Sequence, residues 1–360
     1  MKEFYSGTRI VAGSGAVGEL KNLGIKRLFL VTDPFFAENG VAQRIAAGAQ
    51  AQAVEIFKGV QPDPSVALAA EGTARVKDFA PDAIVALGGG SAMDLAKAMA
   101  YFSGCKAKLI AIPTTSGSGS EVTDFAILTH EQVKHPLVDT RLRPEVAILD
   151  DELLQKLPPS LIADAGFDVL AHALEAFVAK NAGAITDALA RDAFCSAFAA
   201  LPASFAGNKE VRLKIHVAAT MAGMAFTQAG LGLCHAMAHS LGGMFHIPHG
   251  RLNAILLPAV VSCNAHRVGE KYAALARTAG LGGSADTVAV RNLKNCLIRL
   301  RTELKLPATL AQAGADPRHV WHSMDKIVEA TLADPCCNTN PIAVEGFMVR
   351  QVLEEVMGRV

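Results

Sequence analysis

The chain has 360 residues, of which 51% are hydrophobic and 19% are charged, enough for two domains with well-formed cores. Lysine plus arginine equals aspartate plus glutamate at 34 each, so no basic excess indicates binding to nucleic acid or to an anionic membrane. The apolar runs are too short to span a bilayer, no signal peptide is evident, and the seven cysteines show no CxxC pattern. We therefore expect a cytoplasmic protein.

The first part of the chain alternates short β-branched runs with helical stretches. Strands are predicted at residues 27–32, 83–87, 108–112 and 145–149, and helices at 65–79 and 92–102. Strands that alternate with helices favour a parallel sheet covered on both faces. The fold class predicted here is therefore α/β, with a Rossmann-like parallel sheet.

The pattern changes after Leu157-Pro158-Pro159-Ser160. Alanine, leucine, methionine and histidine then dominate, with helical spacing over residues 161–206 and again over 211–229. The prolines interrupt the chain, and Ser160 is the predicted N-cap of the first helix. We place the domain boundary here and expect an α/β domain over residues 1–157 and an all-helical domain over 158–360.

A glycine-rich turn follows the predicted strand 83–87. Gly88, Gly89, Gly90 and Ser91 lie between that strand and a helix. Glycine lets the backbone approach a phosphate closely, and a helix N-terminus offers free N–H groups to it. The turn is not the usual G-x-G-x-x-G fingerprint, because Met93 stands at its third position. A tight turn without a ligand remains the alternative.

A second polar loop, residues 113–121, follows the strand 108–112 and reads PTTSGSGSE. The carboxyl ends of parallel strands are where α/β sheets bind ligands. A flexible surface loop is the alternative, but two such loops after successive strands favour a nucleotide site.

The second half contains a cluster of histidines and an aspartate. Asp168 and His172 are four residues apart, as are His235 and His239, so each pair lies on one face of a helix. His249 lies in a Pro-His-Gly turn. Any one of these histidines could be a core or surface residue. Together, Asp168, His172, His235 and His249 predict a site for iron, zinc, cobalt or manganese with room for a substrate oxygen.

Four stretches of the chain resemble the iron-containing (group III) alcohol dehydrogenase family. They are GGGSAMDLAKA, IPTTSGSGSEVT, FDVLAHALEAFVA and GLCHAMAHSLGGMFHIPHGRLNAILLP, and they occur in the family's order. The start FYSGTRIVAGSGAVGEL and the late TNP at residues 339–341 resemble the propanediol-utilisation 1-propanol dehydrogenases.

This resemblance implies an N-terminal nucleotide domain, a helical metal- and substrate-binding domain and a deep cleft between them. It also implies functions for individual residues. His239 is expected near the nicotinamide as a proton relay, whereas His246 is left out of the site. Asp63 stands where many family members have asparagine, so its contact with the cofactor stays open. The metal ligands implied are Asp168, His172, His235 and His249. The residues implied to bind NAD(H) are Asp33, Gly89, Gly90, Ser91, Thr114, Thr115, Ser118 and Lys134.

The implied activity is reversible hydride transfer between NAD(H) and a short primary alcohol or its aldehyde, with 1-propanol and propionaldehyde as the leading pair. Iron(II) is the first expected metal and zinc the second. Apolar residues around the Asp168 and histidine motifs leave little to pair with a charged substrate. A homodimer or larger homo-oligomer is expected, with association with an enzyme assembly or a bacterial microcompartment as a further expectation.

Three alternatives share this fold or sequence pattern. The first is a zinc polyol dehydrogenase of the glycerol type or another aldehyde reductase, and the second is a lyase or synthase of the dehydroquinate-synthase type. The third is a non-catalytic subunit of an enzyme assembly. An intact set of metal ligands argues against the third.

Overall fold

The structure is a computed structural model that describes residues 4–131 and 133–358. The described chain divides into two compact units. One comprises Ser6–Leu157; the other begins at Pro158 and also includes residues 4 and 5. The carbonyl of Tyr5 accepts a hydrogen bond from the side chain of Gln228 at 3.3 Å, which ties this short segment to the second unit.

The first unit contains a six-stranded sheet and a separate hairpin. The sheet strands are β1 (Arg9–Ala12), β2 (Arg27–Thr32), β3 (Ala53–Phe57), β4 (Ala83–Gly88), β5 (Lys108–Pro113) and β8 (Val146–Leu149). The hairpin pairs β6 (Phe125–His130) with β7 (Val133–Val138) in antiparallel register. The helices of this unit are α1 (Pro34–Glu38), α2 (Val41–Gly48), α3 (Val66–Phe79) and α4 (Gly90–Ser103).

All pairings within the six-stranded sheet are parallel, in the order β1-β8-β5-β4-β2-β3. Alternate residues of the central strands face opposite sides, and each side has its own apolar core. Phe29 and Ile84 belong to one core, and Leu30 and Val85 to the other. The predicted α/β class with helices on both faces is therefore confirmed.

The strand order reverses direction between β2 and β4. From β2 the chain moves outward to β3, then crosses back to place β4 on the other side of β2. Such a reversal leaves a crevice at the carboxyl ends of the two strands, where open α/β sheets bind ligands. Asp33 follows β2 and Gly89 follows β4, so both lie at this position.

Helices are the only regular secondary structure among the described residues of the second unit. Its helices are α5 (Pro159–Val178), α6 (Ala184–Phe205), α7 (Arg212–Ala229), α8 (Leu233–Phe245), α9 (His249–Thr278), α10 (Asp286–Glu303), α11 (Pro317–His322), α12 (Met324–Ala333), α13 (Cys336–Thr339) and α14 (Gly346–Val356). Helix α5 is buried along most of its length and packs against α6, α7 and α9. The predicted all-helical second half is confirmed.

Three local expectations need correction. Ser160 is not an N-cap, because α5 already begins at Pro159, whose fixed φ suits the first helical position. The helical pattern over residues 161–206 is two helices, since the chain leaves helical geometry after Val178 and resumes at Ala184. His249 is the first residue of α9 rather than part of an extended turn.

No single helix in the described ranges is long and apolar enough to cross a membrane. Arg212–Ala229 and Leu233–Phe245 reach that length only as a pair bent by 103°.

Candidate active site

The glycine turn after β4 has a shape that requires glycine. Gly88 has φ of 151°, and a Cβ there would lie 2.6 Å from the Cβ of Ala92, closer than two carbon atoms can approach. Helix α4 then starts at Gly90, so its first N–H groups lie at the carboxyl end of β4. This is the geometry that the sequence predicts for pyrophosphate binding.

The polar loop after β5 lies against this turn. A Cβ on Gly89 would be 3.3 Å from Oγ1 of Thr115, and one on Gly90 would be 3.4 Å from Cβ of Ser118. The backbone of Thr114 donates to the carbonyl of Gly88 at 2.9 Å. The structure therefore brings together the two loops that the sequence identified separately.

Asp33 also lies next to the turn. It is the N-cap of α1, where its Oδ1 accepts a hydrogen bond from the backbone N–H of Phe36 at 3.1 Å. Its other oxygen, Oδ2, is 3.7 Å from the position that a Cβ on Gly88 would occupy. One carboxylate oxygen therefore supports the helix, and the other points toward the glycine turn.

Lys134 lies on the hairpin strand β7, with its Nζ 2.7 Å from a carboxylate oxygen of Asp63. Asp63 adopts a left-handed backbone conformation with φ of 52°. This ion pair links two residues 71 positions apart. The family resemblance implies a contact with a ribose for Lys134 and leaves that of Asp63 with the cofactor open. Both side chains are partly exposed, so the ion pair by itself contributes little to stability.

A buried lysine beneath the polar loop was not predicted. The side chain of Lys97, in α4, is 1% exposed, and its Nζ donates to Ser120 Oγ at 2.8 Å and Phe125 O at 2.9 Å. It also donates to the carbonyl and hydroxyl of Thr123, at 3.1 and 2.9 Å. Lys97 therefore fastens the segment that follows the polar loop to the helix that begins at the glycine turn.

In the helical unit, Asp168 is the centre of the histidine cluster. Its Oδ1 is 3.5 Å from Nε2 of His249, 3.7 Å from Nε2 of His235 and 3.8 Å from Nδ1 of His172. Asp168 and His172 share a face of α5, as their spacing predicts. The ring of His172 stacks on that of His235 with centroids 4.4 Å apart. The ligand atoms of Asp168, His235 and His249, from three helices, lie within 4.8 Å of one another, and His172 lies beside this group.

The side-chain amide of Asn253 shows that the lone pairs of this cluster converge. Its Nδ2 donates to Asp168 Oδ1 at 2.8 Å and also lies 3.2 Å from His249 Nε2 and 3.4 Å from His235 Nε2. A carboxylate and imidazoles directed at one region suit a divalent transition metal. The residues present therefore fit the metal that the motifs imply.

The electrostatics of the cluster favour an ionised carboxylate. Burial alone would raise the pKa of Asp168, but the three surrounding imidazoles outweigh burial and hold that pKa well below its usual range. Burial and the neighbouring imidazoles lower the pKa of His249, which leaves a nitrogen lone pair available there. Burial also acts to lower the pKa of His235, yet hydrogen bonds with Asp168 and Glu175 raise it to about 9.

Glu175 orients His235 and was missed in the sequence. Its Oε2 lies 2.6 Å from Nδ1 of His235, and its two oxygens accept from the backbone N–H groups of Gly232 and Cys234 at 3.1 and 2.7 Å. A carboxylate behind a histidine orients the ring so that Nε2 faces the cluster, and a metal that binds there would displace the Nε2 proton. The sequence signal that could have identified Glu175 is its position seven residues after Asp168, two turns along the same helix.

His239 has an orienting carboxylate of its own. Its Nδ1 lies 2.8 Å from Oδ2 of Asp334, and its ring stacks on His249 with centroids 5.2 Å apart. Burial alone would raise the pKa of Asp334, but the bond with His239 outweighs it and lowers this pKa to about 2. His246 follows the last residue of α8, with φ of 54°, and is exposed.

Asn340, in the TNP motif, closes the arrangement. Its Oδ1 accepts from the backbone N–H of Leu233 at 3.1 Å and from Asn264 Nδ2 at 3.0 Å. Together with Glu175 it satisfies the first N–H groups of α8, the helix that carries His235 and His239. The TNP motif, which in the sequence serves only as a point of resemblance, therefore stabilises the N-terminus of α8.

Most of the apolar residues that flank the motifs form core. Phe167, Val169, Leu170, Leu233 and Met237 are fully buried. They fix the backbone of α5 and α8 behind the polar cluster. Leu231 and Phe245, which the sequence also named, are the less buried members of this set.

Comparisons with known proteins identify the class. A family model for iron-containing alcohol dehydrogenase matches residues 7–151, and the model for the C-terminal part of the Fe-containing alcohol dehydrogenase family matches residues 162–357. The chain therefore belongs to the iron-containing alcohol dehydrogenase family, and it is an enzyme of that class.

Individual relatives are similar over nearly the whole chain. The 1-propanol dehydrogenase PduQ of Citrobacter freundii is 38% identical over 371 residues, covering 99% of this chain and all of the relative. The NADPH-dependent butanol dehydrogenase of Clostridium saccharobutylicum is 36% identical, covering 98% and 97%. The solved structure of an iron-containing alcohol dehydrogenase from Thermococcus thioreducens superposes with a TM-score of 0.91 at 32% identity, covering 98% and 99%. The resemblance drawn from the motifs is thus confirmed.

Proposed function

We propose that this enzyme transfers hydride between NAD(H) and a short, uncharged primary alcohol or its aldehyde, with 1-propanol and propionaldehyde as the leading pair. The observation that carries the proposal is the convergence of Asp168, His235 and His249 on one region. The similarity to a 1-propanol dehydrogenase and a butanol dehydrogenase supports the substrate class.

We propose that the two compact units divide this work, with Ser6–Leu157 binding the dinucleotide and the helical unit binding metal and substrate. Asp168, His172, His235 and His249 would hold the metal, with iron(II) expected first and zinc second. A divalent ion there would lower the pKa of an alcohol oxygen and polarise an aldehyde carbonyl.

The dinucleotide would lie along the carboxyl ends of β2, β4 and β5. Gly89, Gly90 and Ser91 would bind the pyrophosphate through the first N–H groups of α4. Asp33 would accept hydrogen bonds from the adenosine ribose. Nearer the nicotinamide, the assigned residues are Thr114, Thr115 and Ser118, with Lys134 at the other ribose.

His239 is the proposed proton relay. Asp334 holds its Nδ1, which leaves Nε2 to accept the alcohol proton during oxidation and to return it during reduction. The carboxylate stabilises the imidazolium that forms when the proton is held there.

The test is the loss of NADH absorbance with an aldehyde panel after anaerobic loading with iron(II) or zinc. The panel is acetaldehyde, propionaldehyde, butyraldehyde, lactaldehyde and a 2-keto acid, with the Asp168→Asn variant as the matched control that lacks the central carboxylate. We expect turnover of several chain lengths, because one methylene changes binding by only about 1–3 kcal/mol. A preference for the keto acid, or no turnover of any aldehyde with either metal, would refute the proposal.

We also propose a homo-oligomer that associates with an enzyme assembly or a bacterial microcompartment, on the basis of the resemblance to propanediol-utilisation enzymes. Native mass measurement tests the first part. Co-sedimentation with purified microcompartments tests the second, and a freely soluble monomer in both experiments would contradict it.

A further inference from the structure

A second group of potential metal ligands lies beside the Asp168 cluster. His239, Asp334 and Cys336 each offer one ligand atom, and these three atoms lie within 4.8 Å of one another. The same spacing describes Asp168, His235 and His249. Tetrahedral zinc has bonds of about 2.0–2.3 Å and therefore needs ligand atoms roughly 3.3–3.8 Å apart. The widest pairs in either group thus need to close by at most about 1.5 Å, whereas Nδ1 of His239 and Oδ2 of Asp334, now 2.8 Å apart, would move apart slightly.

The loop that supplies two of these ligands is held in place. The backbone N–H of Cys336 donates to Oδ1 of Asp334 at 2.8 Å, and Pro335 between them restricts the backbone. At the far end of the loop, Asn340 is bonded to the start of α8, the helix that carries His239. The three ligands are therefore positioned before any ion arrives, which lowers the entropic cost of binding one.

The chemistry of this group differs from that of the Asp168 cluster. The Asp168 cluster offers carboxylate and imidazole, whereas the second group adds a thiol. Thiolate ligands favour zinc and cadmium over harder ions. A thiolate and a carboxylate together would also neutralise a divalent ion. The side chains of His239 and Asp334 are 23% and 14% exposed, so an ion can reach them from solvent.

We propose that His239, Asp334 and Cys336 form a second metal site that takes zinc or cadmium. Binding exchanges the Sγ–H bond of Cys336 for a bond from sulfur to the metal and releases the proton to solvent. It also replaces the hydrogen bond between Nδ1 of His239 and Asp334 with coordination of both groups, and the proton of Nδ1 moves through solvent to Nε2. Occupancy therefore engages His239 and inhibits turnover, a consequence that rests on the proposed function, whereas the binding itself does not.

The binding test uses cadmium and the ultraviolet charge-transfer band of a thiolate–cadmium bond. Protein loaded with one equivalent of iron(II) under anaerobic conditions is titrated with cadmium. The Asp168 cluster has no thiolate ligand, so cadmium that exchanges into it adds no sulfur band. We expect one saturable band, lost in Cys336→Ser and in Cys336→Ala.

Cys337→Ser is the matched control. Cys337 is the next residue, and its thiol donates to the carbonyl of Thr331 at 3.0 Å instead of facing the group. We expect this variant to keep the band. Asp334→Asn should weaken cadmium binding by more than about tenfold, since even groups behind a ligand contribute about 10- to 100-fold. A band that persists in both Cys336 variants, or no band in the unmutated protein, would overturn the proposal.

The functional arm measures inhibition of aldehyde reduction by zinc. Cys336→Ser should raise the inhibitory zinc concentration by at least about tenfold relative to Cys337→Ser. If zinc inhibits the two variants equally and Cys337→Ser keeps its cadmium band, the metal site exists but does not cause the inhibition. That outcome would overturn the inhibitory part of the proposal. If no aldehyde is reduced at all, the proposed function fails while the cadmium titration still decides the site.

Discussion

Oε2 of Glu175 lies 2.6 Å from Nδ1 of His235, and both side chains are almost fully buried. The same carboxylate accepts backbone hydrogen bonds at the start of α8, where the helix dipole favours negative charge. One buried acid therefore sets both the ring orientation of a predicted metal ligand and the N-terminus of the helix that carries it.

Replacing Glu175 with glutamine should weaken metal binding by about 10- to 100-fold, because the amide cannot accept as strongly from His235 and the N–H groups. Unfolding should also become easier by about 1–3 kcal/mol, since the NH2 group of glutamine replaces one of the two accepting oxygens and leaves a buried donor without an acceptor. Metal titration and denaturant unfolding measure the two effects. Glu329→Gln, an exposed position on α12, is the matched control. Unchanged metal affinity in Glu175→Gln would show that this contact does not support the metal.

Replacing His249 with alanine should remove or greatly weaken metal binding and abolish turnover, while the fold stays largely intact. His249 is the first residue of α9 and its side chain is 32% exposed, so little packing is lost. Metal analysis, turnover and circular dichroism are the measurements. His246→Asn is the control, because asparagine tolerates the left-handed backbone at that position. Full metal content and rate in His249→Ala would mean that the ligand is wrongly assigned.

The unmutated enzyme should prefer NAD(H) to NADP(H), because the Asp33 carboxylate, at its proposed position beside the ribose, would accept from a free 2′-hydroxyl and repel a 2′-phosphate. Asp33→Gly should relax the preference by about tenfold or more, equivalent to about 1.4 kcal/mol. Asp33→Ser should do the same while keeping an N-cap for α1.

Catalytic efficiency with each cofactor decides the matter. One relative at 36% identity is named as NADPH-dependent, so the family does not settle cofactor choice. Equal efficiency with both cofactors before any mutation would contradict the role given to Asp33.

Replacing Lys97 with methionine should destabilise the protein by about 1–3 kcal/mol, because it leaves the buried acceptors of Ser120, Thr123 and Phe125 without their donor. NADH affinity should also fall, since the polar loop loses its anchor to α4. Denaturant unfolding and cofactor fluorescence measure these effects, with the exposed Lys77→Met in α3 as the control. Wild-type stability in Lys97→Met would exclude an anchoring role.

The wild type and Lys97→Met should also differ in how their stability depends on pH. Burial lowers the pKa of Lys97 to about 8, and nearby carboxylates, chiefly Asp94, offset only part of this effect. Between about pH 8 and the ordinary lysine pKa near 10.4, the unfolded chain holds a proton that the folded chain has lost. Stability of the wild type should therefore rise relative to Lys97→Met over that range, by at most about 1.4 kcal/mol per pH unit, and stay level below it. A relative stability that falls with rising pH would contradict this assignment.

Much of the fold followed from the sequence because it depends on local periodicity. The β-branched runs lie in the sheet core, as alternation with helices predicts, and the glycine turn follows a strand as expected. Asp168 and His172 share a helix face because four residues nearly complete one turn. The predicted ends of helices and strands were less accurate. Ser160 was predicted as an N-cap from its side chain, but α5 begins at Pro159, whose fixed φ suits the first helical position.

What the sequence determined by itself is the chemistry of the proposed site: a carboxylate and imidazoles at helical spacing, and two glycine- and hydroxyl-rich loops after successive strands. What only the tertiary structure decided is which groups stand behind them. Glu175 is 60 residues from His235, and Asp334 is 95 residues from His239. No local period relates such residues, because their contacts arise when separate helices pack against one another. The orientation of each histidine, and the thiol beside His239, are therefore properties of the folded helical unit.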